Sequence, residues 1–409
     1  MRRTVRDRTE ARPKPVQRIE LSGKRLGWRL LAVLLLLVFG AASLSYAFVN
    51  LMSPGEPGWT EIKAETSGLS YADEVVFFYE IGVSGSSAAS ERKALSRLYA
   101  SLAEKAWQLF SNVEGSEGIR VLNDHPGEIV QVDAALYEAL QAVEASGDRG
   151  LYLGPVAEIY DNLFYCQDDV LTVDFDPLLN DDLRAFFARV ATFARDPQAI
   201  NVELLGNDQV RLRVSEDYLA FAAQEEIRDL IDFHWMRNAF VIDYLANALI
   251  EKGYSRGTLS SLDGFARTLD SRESGSYAYG LYDRGEQIGI MRYSGAMSIV
   301  ALRSYPVSSL DDSRYYVRQD GQIRTAYLDP ADGLSRVAAD DLTAYAEGVG
   351  CAELLLRIAP ICIAEELDKA ALSALARDGV QSVICESGVI RGTDPALVIS
   401  DLAEGYGME

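Results

Sequence analysis

The chain has 409 residues, 48% of them hydrophobic and 24% charged, with a formal net charge of -22. That length suits one large domain or two ordinary ones, and the composition excludes a wholly disordered chain. The acidity excludes nucleic acid as a partner of the body, because such binding rests on neutralising phosphates with Lys and Arg.

The charge is divided unevenly. Residues 1–29 hold ten Arg and Lys against three acids, a net +7; residues 30–52 hold no charge, which leaves -29 for the rest. The 23 residues from Leu30 to Met52 are Leu/Val/Phe-rich in their front half and long enough, as a helix, to cross about 30 Å of hydrocarbon. Basic residues gather on the cytoplasmic side of such spans. The sequence therefore predicts a cytoplasmic tail (1–29), one transmembrane helix (30–52), a Gly/Pro/Ser-rich linker (53–70) and an extracytoplasmic domain (71–409). Ser45 and Ala47 offer a rival cleaved signal peptide. The 29-residue basic lead is long for a signal and favours an uncleaved anchor at the cell membrane.

Within the body, Glu74 to Val83 reads as a strand from its aromatic and β-branched content. Ser90 to Phe110 carries Leu95, Leu98, Tyr99, Leu102, Ala106 and Leu109 at helical spacing. Asp133 is an N-cap for a second helix through Leu136, Tyr137, Leu140 and Val143, and a third runs from about Asn180 to Arg195. Ile200 to Val214 alternates about Gly206-Asn207-Asp208, a hairpin. A helix follows over about Asn238 to Lys252, closed by Gly253. Short strands occupy 277–328, and two helices lie around Glu353 and Lys369. The last strand pair is Ser382–Cys385 and Val389–Arg391. Strands and helices mix without strict βαβ alternation, so the fold class is α+β, with mixed or antiparallel sheets and packed helices, preceded by the membrane helix.

Motifs that usually carry chemistry are few. The four cysteines have no CxxC spacing, which leaves a local bridge among Cys351, Cys362 and Cys385 or buried free thiols. The two histidines, His125 and His234, read first as structural, and no Walker loop, HExxH or GxSxG element is present. Three carboxylates stand out by their surroundings. Asp329 precedes Pro330 in a turn. Glu353 opens an apolar helix, where an acid also suits the helix dipole. Asp243 sits mid-helix among Phe240, Val241, Ile242 and Leu245, either on a solvent stripe or specifically paired.

The order of these elements over about residues 73–397 resembles the FAD:protein FMN transferase (ApbE) family. Ser111, Ser116, Glu117, Leu122 and Asn123 match its S-x(4)-S-E-x(4)-L-N segment. Val130, Val132, Leu136, Tyr137 and Leu140 match the helix entry that follows. Arg237 to Asp243 stands where the family has K-G-Y-A-V-D, and Ser261 to Phe265 where it has N-x-G-G-D. Ser308 to Tyr315 resembles S-G-x-Y-x-R-Y. Ala326 to Gly333 resembles H-I-x-D-P-x-T-G, and Ala352 to Arg357 resembles A-D-A-L-x-T.

The resemblance implies FAD and Mg2+ as cofactors and transfer of FMN to a Ser or Thr of an exported or membrane redox protein. It implies catalytic roles for Asp329 and Asp243, metal binding by Glu353, and cofactor contacts by Ser111, Glu117, Asn123, Gly264 and Arg314. Several positions depart from the pattern. The family's histidine is Ala326, its metal-side Asp is Glu353 and the nearby Thr is Arg357. Its Lys-Gly pair is Arg237-Asn238, and the first Gly of its Gly-Gly pair is Asp263. An arginine beside the metal position lowers affinity for magnesium and can itself pair with pyrophosphate oxygens. Two readings follow, an active transferase or a catalytically inactive flavin-binding or protein-interaction relative. A membrane-tethered interaction module of accidental resemblance is a third. The active reading requires Asp329, Glu353 and Asp243 to converge.

Overall fold

The structure is a computed structural model that describes residues 56–408 apart from 67, 84, 86, 167, 273–275, 309–313 and 387. The basic tail and the apolar Leu30–Met52 segment lie outside the described residues. Among the described residues, no helix is long and apolar enough to cross a membrane.

Nine strands form the central sheet: β1 (Gly58–Glu61), β2 (Val75–Ile81), β3 (Gly257–Ser261), β4 (Phe265–Thr268), β5 (Met297–Arg303), β6 (Asp341–Glu347), β7 (Gln381–Glu386), β8 (Val389–Gly392) and β9 (Gly407–Met408). Their order across the sheet is their order along the chain. Neighbours run antiparallel up to β8, and β9 adds in parallel. Side chains of a strand alternate between faces. In β2, Val75, Phe77, Tyr79 and Ile81 are buried whereas Phe78, between them, is exposed.

Helices pack on the sheet or on one another: α1 (Ala88–Phe110), α2 (Ala134–Ser146), α3 (Asp181–Arg195), α4 (Arg237–Glu251), α5 (Cys351–Cys362) and α6 (Lys369–Arg377). Their ends follow the expected chemistry. The Asp133 carboxylate accepts the Ala135 amide, Asn180 accepts that of Leu183, and Gly147 closes α2 in the left-handed region at φ 73°. α1 packs on β2 and α4, and α4 packs on β3 and β4, building the main core. On the opposite face, a hairpin of Tyr277–Asp283 and Glu286–Tyr293 joins Val398–Ser400 in a three-stranded sheet over a second, smaller core that includes Ile288, Met291, Ile299 and Tyr345. A further three-stranded sheet contains the expected hairpin, with Asn207 at φ 49° and Asp208 at φ 57° in its turn.

The α+β class holds, and the predicted helices and hairpin are present within a few residues. One expectation is corrected, and one left open is decided. The pair now seen as β7 and β8 is not the last, because Val398–Ser400 joins the distant Glu286–Tyr293 strand and β9 adds beside β8. The cysteines form no bridge: all four are free, with Cys351, Cys362 and Cys385 buried.

Candidate functional site

Two asparagines shape the approach to the site. Asn123 sits in a short helix, Ile119–Asp124, and is held by the segment at 230–231 and by Asn112, whose Oδ1 accepts its Nδ2 (2.8 Å). Its Oδ1 accepts the amides of Leu230 (2.9 Å) and Ile231 (3.0 Å), and its Nδ2 donates to Ile231 O (2.8 Å). Asn112, just past the C-terminus of α1, donates to Asp232 Oδ2 (2.8 Å). Asp232 Oδ1 in turn accepts the His234 amide (2.7 Å). This chain of bonds holds His234 in the left-handed region at φ 47°, a conformation that costs a non-glycine residue about 1–3 kcal/mol and persists only where the surroundings enforce it. The His234 Nε2 then meets Asp161 Oδ1 at 2.7 Å.

His234 lines a hollow of about 340 Å3 together with Asp73, Glu74, Asp161, Tyr165, Asp232, Trp235, Leu262, Arg237, Arg314 and Ala326. Arg314 pairs with Asp263 (2.9 Å), and Asn238 Nδ2 bridges Asp263 Oδ2 and Glu74 Oε2, both at 3.1 Å. Arg237 reaches Glu74 only loosely, at 3.4 Å, and lies over the Tyr71 ring. Four positions where the sequence departs from the family pattern, Arg237, Asn238, Asp263 and Ala326, thus meet at one place. Arg and Asp there satisfy one another across elements far apart in the chain.

Charge in this hollow is arranged rather than diffuse. Burial works against the charge on His234, yet Asp161 alongside raises its pKa above the ordinary value; reciprocally, His234 overcomes burial and lowers that of Asp161. Burial pushes the Asp263 carboxyl up against the pull of Arg314. Four buried polar atoms of these residues lack a partner: Arg237 Nε, Asn238 Oδ1, Asp263 Oδ1 and His234 Nδ1. An unpaired buried polar atom costs about 1–3 kcal/mol, so a ligand offering both donors and acceptors would relieve this arrangement.

The residues implicated by resemblance fall in several places. Arg314 lines the hollow. Gly264 ends the β3–β4 turn at φ 97°, where an added Cβ would lie 2.4 Å from Ala301 O. Ser111 is buried at the end of α1, and its hydroxyl accepts the Val113 amide. Asn123 is committed to the 230–231 backbone, and Glu117 lies at the surface, 3.9 Å from Lys105. Of these residues, Asn123 holds the 230–231 segment that leads to the site's wall, whereas the Ser111 hydroxyl makes a local bond beyond α1.

The three acids do not converge. Asp243 and Glu353 line one hollow, of about 570 Å3, whereas Asp329 lines another beside Gly147, Trp235 and Pro360. Each also has its own arginine. Asp243 accepts Arg267 (2.7 Å) and the amides of Cys351 (2.9 Å) and Ala352 (2.8 Å), capping α5. Asp329 pairs with Arg336 (3.3 Å), and Glu353 pairs with Arg357 one helical turn on. Among the described residues, no three His, Cys, Asp or Glu side chains form a group that could hold a metal ion. The three carboxylates do not suit a shared magnesium, which demands near-octahedral oxygen ligands, because they line two different hollows and Asp243 already binds Arg267 and two backbone N–H groups.

His234 is the residue whose placement the sequence conceals. Asp232 and Trp235 flank it, but nothing in the local pattern points to Asp161, 73 residues earlier.

No protein-family model matches the chain, and no curated protein matches it by sequence. Solved structures do match by shape. The ApbE protein of Thermotoga maritima aligns with TM-score 0.53 at 13% identity, covering 84% of this chain and 97% of that one. A variant of the flavin transferase ApbE of Vibrio cholerae gives 0.53 at 13% identity with the same coverage. The unmodified Vibrio cholerae enzyme gives 0.51 at 12%, covering 85% and 98%. The chain thus has a divergent ApbE-like fold along nearly the whole length of those proteins.

Proposed function

We propose that the protein is an ApbE-like flavin-binding protein in which magnesium-dependent FMN transfer has been attenuated. The single observation that carries this reading is the pairing of Asp243, Asp329 and Glu353 with separate arginines on a fold shared with flavin transferases. The hollow at His234 is the proposed flavin-facing site. Its orphaned Arg237 Nε suits a phosphate oxygen, and Asn238 Oδ1 suits a ribityl hydroxyl or a ring N–H. Both the anchor at Leu30–Met52 and the extracytoplasmic placement of the body belong to this proposal. Its support is the +7 tail ahead of an uncharged span.

The test uses the full chain in detergent. FAD should raise its melting temperature, by the equivalent of about 2.7 kcal/mol when the ligand is present at 100 times Kd. With FAD, magnesium and an exported acceptor protein carrying the Ser/Thr target, in-gel flavin fluorescence should be far below that given by the Vibrio cholerae enzyme. Absence of any FAD-dependent stabilisation would refute flavin binding. Fluorescence equal to that of the enzyme would refute attenuation.

A further inference from the structure

A concavity of about 670 Å3 lies on the other face of the central sheet, under the Tyr277–Tyr293 hairpin. Its floor is the outward face of the first strands. Trp59 of β1 and Phe78 of β2 present large, half-exposed rings, and Phe78 stands in register with Thr258 of β3 and, next, Thr268 of β4. Ser260 follows two residues after Thr258, on the same side of the strand. Its roof consists of Tyr277, Tyr279, Tyr282 and Tyr293.

The tyrosine hydroxyls are tied into the wall. Tyr277 donates to Asp270 (2.6 Å), Tyr279 donates to Gly264 O (3.2 Å), and Tyr293 shares a bond with Thr268 (3.0 Å). These bonds fix the rings before any ligand arrives, which removes the ordering cost that binding would otherwise incur. Tyr277 packs edge-on against Trp59 at 5.8 Å and stacks with Tyr293 at 5.7 Å.

Among the described residues lining the cleft, charge is nearly absent. Of the twenty described residues lining the cleft, Arg303 carries the only charge, and it is bound to Asp341 (3.1 Å) and Tyr279 (3.2 Å). At the chain's average of 24% charged, about five would be expected. An ionic ligand would enter without a counter-charge, and a purely apolar one would strand the hydroxyls of Thr258 and Ser260. A ligand with apolar faces and neutral hydroxyls meets both requirements.

We propose that this cleft binds a neutral saccharide, its ring faces against Trp59 and Phe78 and its hydroxyls on the Thr258 and Ser260 side. The proposal is argued from the Trp59 and Phe78 side of the cleft and does not rest on the flavin reading, although the two hollows share Leu262 in the β3–β4 turn.

The full chain is titrated in lauryldimethylamine oxide micelles, which carry no sugar headgroup, with chitotriose and separately with maltotriose. Calorimetry should show saturable binding of at least one, and acrylamide quenching of tryptophan fluorescence should fall as Trp59 is covered. Trp59→Ala and Phe78→Ala should each weaken binding by about tenfold, the loss of one well-stacked ring, while FAD-dependent stabilisation is unchanged. Saturation by neither sugar, or undiminished binding in both variants, overturns the proposal.

Discussion

Replacing Asp243 with alanine separates a structural acid from a catalytic one. Its carboxylate receives two backbone N–H groups at the start of α5 and one guanidinium nitrogen, at 2.8–2.9 Å and 2.7 Å. Asp243 and Arg267 are 17% and 19% exposed, so solvent screens the pair weakly. Breaking such a pair from one side leaves the arginine uncompensated and costs about 3–5 kcal/mol. The two freed amides retain access to water only in part, so the upper half of that range is expected. Asp243→Asn keeps an oxygen for the amides and should cost about half as much, because a neutral acceptor bonds less strongly than a carboxylate. The assay is urea denaturation of the full chain in detergent, followed by far-ultraviolet circular dichroism. In parallel, FAD-dependent stabilisation is measured on the folded fraction, which should be retained. Should Asp243→Ala cost less than about 1 kcal/mol while abolishing the response to FAD, the assignment of Asp243 to the α5 cap would be wrong.

Three further outcomes follow from other pairs. The His234–Asp161 pair gives a pH window. Histidine's raised pKa makes its contribution complete below 6.5, the unfolded value, and lost as pH climbs through the folded value; the lowered Asp161 makes its contribution present above 3.8 and lost as pH falls through its folded value. Stability from this pair should therefore peak between those values, and His234→Asn, which tolerates φ 47°, should flatten the profile measured by urea midpoints. Arg324→Met strips the counter-charge from Asp176, which is wholly buried at 2.8 Å, and should cost about 3–5 kcal/mol; adding Asp176→Asn should recover much of it, a coupling read by a double-mutant cycle. Finally, magnesium at millimolar concentration should leave the melting temperature of the native chain unmoved. Arg357→Thr combined with Glu353→Asp should stay unresponsive as well, because Asp243 keeps its bonds to Arg267 and the α5 amides and Asp329 lines a different hollow; a magnesium-dependent rise in that variant would contradict the placement of the three acids.

Much of the fold was legible because it rests on local chemistry. The cap at Asp133, the start of α3 at about Asn180, the Gly206-Asn207-Asp208 turn and the periodic apolar faces of α1 to α4 are decided within a few residues, and they appear where the pattern put them. The Glu353–Arg357 pair was equally readable, since residues four apart on a helix are neighbours. The short strands Val398–Ser400 and β9 were not, because such brief strands take their structure from a partner edge rather than from their own propensity.

The sequence by itself determined the charge division, the helix and hairpin boundaries, and which positions depart from the resembling family. Only the tertiary structure decided what those departures do. It brought Arg237, Asn238 and Asp263 together with Glu74 and Arg314, gave each conspicuous acid a separate arginine, and set His234 against Asp161. The physical reason is range: capping and periodicity act between near neighbours in the chain, whereas a buried charge is settled by whichever opposite charge folding places within about 4 Å of it.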